Sequence, residues 1–199
     1  MLLGRKHKLA SVMFNTKGMR FPIDVILVCI RWYAAYPLSF RHLEETMEER
    51  GVEVDPSSIN RWAIRFLPIL EKKVFRKHKR PVGSSWRVDE TYILVKGVWK
   101  YLYRAVDKAG INQVIGDKSI TVEVRQIRYF NNIVEQDHRA IKRVTRPMLG
   151  FKSCRAATSV LAGIELVHMI RKGQMAMPGC EGLSFADQFY ALAGQIRPA

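Results

Sequence analysis

The residues of this chain best suited to chemistry fall in two groups, one acidic and one basic. Asp89 lies in Trp86-Arg-Val-Asp-Glu-Thr-Tyr92, where alternation places it on one strand face with Arg87 and Thr91, opposite Val88 and Glu90. A carboxylate there is either a solvated strand charge or a metal ligand. Glu135 opens a helical pattern in which His138, Arg139, Lys142, Arg143 and Arg146 follow on the same face. One acid heading a basic stripe suits an ion held beside a phosphate backbone. It also suits a capping box with Asn132, or an ordinary ion pair with Arg139. Asp117 follows a short apolar run in Val114-Ile-Gly-Asp-Lys-Ser119, and taken alone it reads as a turn aspartate. The basic group sits upstream. Ser57, Ser58, Asn60, Arg61 and Arg65 share the polar face of one expected helix, and Lys72, Lys73, Arg76, Lys77, Lys79 and Arg80 follow it. Arg and Asn can read guanine and adenine edges, Ser can touch phosphate at a helix start, and a lysine-arginine run supplies salt-dependent backbone affinity. The plain alternative is a solvated helix face.

The elements that must position these residues are legible from periodicity. Residues 1–22 form a basic lead-in, in which Met13 is a possible second start. Asp24 to Tyr36 is strongly apolar and predicts a buried helix that Pro37 stops. Ser39 can cap a second helix with a Phe40, Leu43, Met47 stripe, and Gly51 suits its end. Asp55-Pro56 predicts the start of a third, with Ile59, Trp62, Ala63 and Phe66 on its inner face. Three helices with a tight turn before the last suggest a helix-turn-helix unit over 23–80. Pro81, Gly83, Ser84 and Ser85 mark a linker, after which the period changes. Trp86–Val95 and Val98–Val106 around Lys96-Gly97 predict a β-hairpin, and Thr121–Ile127 another strand. Asn131 or Asn132 can cap a helix to about Thr145 that Pro147 and Gly150 end. A long helix is expected from about Arg155 to Arg171, and a short one near Phe185–Ala193 in a tail over 174–199.

Composition narrows the classes. Lys plus Arg number 33 against 18 Asp plus Glu among 199 residues, a formal charge of +15, which points to a polyanionic partner, DNA first. The longest apolar run, Val25–Ile30, is far short of a bilayer span, so no membrane partner is expected. Cys29, Cys154 and Cys180 fit neither a disulfide framework nor a zinc pattern, and a reducing cytoplasm is expected.

Several segments together resemble a known family. Arg87-Val-Asp-Glu-Thr-Tyr92, Trp99-Lys-Tyr-Leu-Tyr-Arg-Ala-Val-Asp107 and Arg125-Gln-Ile-Arg-Tyr-Phe-Asn-Asn-Ile-Val-Glu-Gln-Asp-His138 are similar to the DDE transposases of bacterial insertion sequences, the IS-six family in particular. Arg146-Pro-Met-Leu-Gly-Phe-Lys152 and Gly163-Ile-Glu-Leu-Val-His-Met-Ile-Arg-Lys-Gly-Gln174 resemble its C-terminal part, and Arg61-Trp62 its DNA-binding part. The resemblance implies an α/β (mixed) chain, with a helix-turn-helix region followed over 81–173 by an RNase H-like catalytic domain and C-terminal helices. It implies that Asp89, Asp117 and Glu135 are catalytic and hold two Mg²⁺ (or Mn²⁺) ions for an in-line phosphoryl displacement. His138 and Lys142, with Arg139 and Arg143, would contact the DNA backbone nearby. The implied partners are the element's terminal inverted repeats, target DNA and further copies of the chain, in the cytoplasm at the bacterial nucleoid.

The spacing departs from that pattern. Asp89 to Asp117 spans 28 positions and Asp117 to Glu135 spans 18. The hairpin ends near Asp107, and the 9 residues before Asp117 are too few for a third strand, a helix and a fourth strand. A parallel crossover alone needs at least about 10–12 residues. Losses are therefore expected just after 108–110 and just after Ser119, leaving an incomplete catalytic domain. The expectation is a degenerate transposase with DNA binding retained and strand transfer weak or absent. The alternative is a DNA-binding remnant that represses transposition. A third reading, a helical di-carboxylate metalloenzyme, rests on Glu135-x-x-His138 and Glu165-x-x-His168, and the β-rich middle argues against it.

Overall fold

The computed structural model describes residues 20–72, 86–107, 112–114, 139, 141–175 and 182–195. The lead-in before Arg20, the linker at 81–85, the expected strand Thr121–Ile127 and the start of the Asn131/Asn132 helix lie outside the described residues.

Helix α1 runs Ile23–Ala35 and is buried along most of its length, as its apolar sequence requires. Tyr36 is extended where Pro37 ends the helix. Ser39 caps α2, Phe40–Glu48. Its Oγ accepts from the His42 N–H at 3.2 Å, and His42 Nδ1 accepts from the Ser39 N–H at 3.3 Å. A histidine thus closes a reciprocal box usually closed by Glu or Gln. Leu43 and Met47 turn inward, and Phe40 stacks on Tyr33 of α1 with ring centroids 4.3 Å apart. Gly51, at φ +74°, takes the left-handed conformation that ends α2. Asp55 caps α3, Pro56–Leu70, which buries Ile59, Trp62, Ala63, Phe66, Leu67 and Leu70.

The second half of the helical body comes from the far end of the chain. Ser153 Oγ accepts from the Ala156 N–H at 3.1 Å and caps α4, Cys154–Arg171. This helix has apolar residues on nearly all sides, the pattern of a central helix. It packs chiefly against α3 and also against α1 and α5, Phe185–Gln195. The contact with α3 is close. A Cβ placed on Gly163 would lie 2.6 Å from Leu67 Cδ2 and 2.7 Å from its Cδ1. Helix α5 closes the body with Phe189 and Leu192, and Tyr190 Oη accepts from Arg31 Nε at 3.0 Å.

The sheet is small. Strands β1, Trp86–Val95, and β2, Val98–Asp107, pair antiparallel from Trp86↔Asp107 to Val95↔Val98. The turn takes Lys96 at φ +51° and Gly97 at φ +76°, the left-handed pair of a two-residue hairpin turn. Strand β3, Asn112–Val114, pairs antiparallel with β2, setting Arg104 opposite Val114. Its three residues escaped the sequence reading because Asn112-Gln113 carries no β signal. A parallel bridge, Val95↔Phe151, joins the hairpin to the segment leading into α4. Lys96 N–H donates to the Phe151 carbonyl at 2.9 Å, and Phe151 N–H to that of Leu94 at 2.8 Å.

The Gly163 contact makes a test. Alanine should gain about 1 kcal/mol of helix propensity. Forcing Leu67 aside in a packed core should cost more, about 1–3 kcal/mol. Urea unfolding of Gly163→Ala is expected to show net destabilisation. Leu67→Ala in that background should cost less than in the parent, because it vacates the space. A stabilised Gly163→Ala would contradict the packing described.

Candidate functional site

The expected DNA-reading face begins at the α3 cap. Asp55 Oδ1 accepts from the Ser58 N–H at 2.9 Å and from the Ser57 hydroxyl. Its Oδ2 accepts from the Ser58 hydroxyl at 2.6 Å. These hydrogen bonds, the Ser57 hydroxyl first, hold the Asp55 carboxyl well below the usual carboxylate range. Ser58 Oγ in turn accepts from Arg61 Nη2 at 2.9 Å. A carboxylate, a hydroxyl and a guanidinium thus form one chain along the first turn.

Ser58 is corrected by this arrangement. The sequence reading puts it on the polar face as a phosphate contact, but it is buried, and its hydroxyl is spent between Asp55 and Arg61. The carboxylate that caps the helix already occupies the N–H group a phosphate would need. Ser57, Arg61, Arg65 and Lys72 are exposed and Asn60 is half-buried, while Arg65 also lies over the Phe66 ring at 5.3 Å. Arg61 and Arg65 stand one turn apart on the side away from Trp62 and Phe66. Lys73 and Arg76 lie outside the described residues.

The downstream basic stripe is seen in part. Residues 141–145 are helical and run into a 3-10 turn, Arg146–Met148. Ile141 and Val144 are buried, so the turn faces Lys142, Arg143 and Arg146 outward, and Arg139 is exposed before them. His138 lies outside the described residues, as do Asp117 and Glu135. Of the three expected carboxylates, Asp89 alone is placed, by its backbone. It sits mid-strand in β1 opposite Arg104 of β2, the same residue that faces Val114 of β3. Among the described residues no group of three or more His, Cys, Asp or Glu gathers that could hold a metal. For the di-carboxylate reading, Glu165 is buried within α4, and Glu135 and His138 fall outside the described residues. Cys29 is inert as a nucleophile, because burial pushes its thiol up to about 12.

The sequence reading missed how the cap reaches Arg61. The signal was present in Asp55-Pro-Ser-Ser, where a cap acid precedes two hydroxyls. The hydrogen bond from Arg61 back to Ser58 needs the helical i, i+3 geometry to be seen.

With this geometry in hand, comparison with known proteins is specific. A family model described as a DDE domain matches the chain in two stretches, residues 83–118 and 112–174. The transposase for the insertion sequence-like element IS431mec of Staphylococcus aureus is 34% identical, over 77% of this chain and 87% of its own length. The transposase for insertion sequence element IS257 in transposon Tn4003, also from Staphylococcus aureus, has the same identity and coverage. That alignment runs for 199 positions yet takes in 77% of a 199-residue chain, about 153 residues. About 46 positions therefore face no residue of this chain. No solved structure matches. No helix among the described residues is long and apolar enough to cross a membrane.

The cap gives a pH signature. The Asp55 carboxyl titrates lower folded than unfolded, so its contribution is complete above the unfolded pKa of about 4 and is lost as pH falls below that toward the folded value. The urea midpoint of the parent should drop more steeply between pH 5 and 2.5 than that of Asp55→Asn, which keeps a cap but cannot titrate. Equal slopes would show that this carboxylate is not held as described.

Proposed function

Since the chain belongs to the DDE transposases of bacterial insertion sequences, of the IS-six type, we propose that it is an internally shortened copy: it binds the ends of its element, and its strand cleavage and transfer are weak or absent. The total of about 46 unmatched positions is the observation that carries this reading. The family match in two stretches meeting at 112–118 supports it. So does the chain itself. Only residues 108–111 separate β2 from β3, and six residues separate Val114 from the expected strand at Thr121. The first interval suffices for the antiparallel β2–β3 connection, but a crossover helix of at least about 10–12 residues does not fit in the second.

In this reading the helices over 23–80 are a helix-turn-helix unit. Asn60, Arg61 and Arg65 address base edges, with Ser57, Lys72, Lys73 and Arg76 on the backbone. His138, Arg139, Lys142 and Arg143 hold the strand near the reacting phosphate. Asp89, Asp117 and Glu135 are an all-oxygen donor set of the kind that suits Mg²⁺ or Mn²⁺. Ions held there would activate the attacking hydroxyl and stabilise the leaving oxygen. What the shortened middle loses is the rigid sheet that must hold three carboxylates in register. The partners are terminal inverted repeats, target DNA and further copies of the chain, at the nucleoid of a bacterial cytoplasm. A second reading, a repressor that occupies element ends without cutting them, is favoured by the helical body. Its core, from α1 through α4 to α5, draws on residues on either side of the shortened region.

A gel-shift on element-end duplex with Mg²⁺ present tests both readings. The expected result is binding without cleavage, with Arg61→Ala losing about tenfold in preference for the end sequence, as for one base contact. Robust Mg²⁺-dependent cleavage that disappears in Asp89→Ala would overturn the impaired-copy reading. Equal affinity for element ends and random DNA would overturn the transposase and repressor readings together.

A further inference from the structure

The hairpin tip carries exposed aromatic side chains. Trp99 is 65% exposed and Tyr92 48% exposed. Trp99 pairs with Leu94, so the two side chains share a face, and Tyr92 lies on that face two residues along β1. A third segment is fixed beside them. Val95 and Phe151 are bridged and both buried, so their neighbours in the extended chain, Gly150 and Lys152, fall on the other face, that of Trp99. Gly150 bears this out: a Cβ added to it would lie 3.2 Å from Leu94 Cβ. Lys152 is exposed there, and Lys96 is exposed at the turn. No Asp or Glu occurs from Thr91 to Val106 or from His138 to Ile164, so the strands and segment that build this tip bring only positive charge.

A protruding indole beside lysines has a definite complement. A base face satisfies the ring, and its flanking phosphates satisfy the ammonium groups. In duplex DNA the base faces are stacked away, so the match is to an unpaired strand. A second copy docked tip to tip is disfavoured as the occupant, because it would bring lysines against lysines. We propose that the hairpin tip is a single-strand DNA site, in which Trp99 stacks on an unpaired base while Lys96 and Lys152 hold the adjoining phosphates. The proposal rests on the DNA-binding reading above and adds to it a second contact, distinct from α3.

Fluorescence anisotropy of the full chain with a labelled oligo-dT strand and with a random-sequence duplex of equal length tests it. Trp99→Ala should weaken oligo-dT binding about tenfold, as expected for one lost stacked base. Duplex binding should stay within about twofold, since α3 and its basic flank are untouched, and Trp99→Phe should restore most of the loss. Trp99 is solvent-facing, so the variants should keep the parent's circular dichroism. Equal losses on both probes, or no loss on oligo-dT, would overturn the proposal. So would a change from dimer to monomer in Trp99→Ala with strand binding intact, which would assign the tip to a second copy. Duplex binding by the parent without oligo-dT binding would overturn this site alone. Binding of neither probe at low salt would overturn the DNA-binding reading as well.

Discussion

The approach of α4 to α3 at Gly163 and Leu67 is the contact on which the rest of the molecule depends. Side chains at that crossing would hold the helices apart, and the glycine lets α4 sink against Leu67 until its neighbours are buried. The consequence is topological. Helix α3 is built from residues before the hairpin and α4 from residues after it, so the two ends of the chain form one apolar core. The sheet joins that core through the Val95–Phe151 bridge and through contact between β3 and α4.

Charge in this protein is divided between structure and partner. Arg31 is buried, donates to Tyr190 and lies over the Tyr190 and Phe185 rings at 5.3 and 5.9 Å. Arg171 lies over Phe185 at 4.7 Å and over Tyr36 at 5.1 Å. Arg50 lies over Trp32 at 4.9 Å. These guanidiniums tie α5 and the end of α2 to the body through aromatic faces. Of these three, Arg31 alone is buried, and Arg50 and Arg171 keep exposed surface. Arg41, Arg61, Arg65, Lys142, Arg143 and Arg155 are among the cations that the helices face outward, and Arg61 is already oriented by Ser58.

Much of the helical body was legible in the sequence. Pro37, Ser39, Gly51 and Asp55-Pro56 are local signals whose physics acts within four residues, and each one bounds a helix in the structure, whereas the Ser153 cap of α4 went unread. The hairpin was legible for the same reason, through Lys96-Gly97. Three features were not legible. Strand β3 exists only because β2 offers an edge to Asn112–Val114. Ser58 reads as a surface hydroxyl until the Asp55 carboxylate is seen beside it. The pairing of α3 with α4 joins residues nearly a hundred positions apart, with a lone Gly163 as its only trace. The carboxylates were legible as a resemblance, since Asp89, Asp117 and Glu135 sit in recognisable words. Their spacing was legible as arithmetic, and it points to the loss of what should separate them.

The chain's two ends make a single core in which α1, α3 and α4 act cooperatively. Native-state hydrogen exchange tests it most directly. The core amides of α1, α3 and α4 should open together, with one shared free energy and one shared response to urea. If α4 exchanged through a separate and much easier opening while α1 and α3 stayed protected, the shared core would be contradicted.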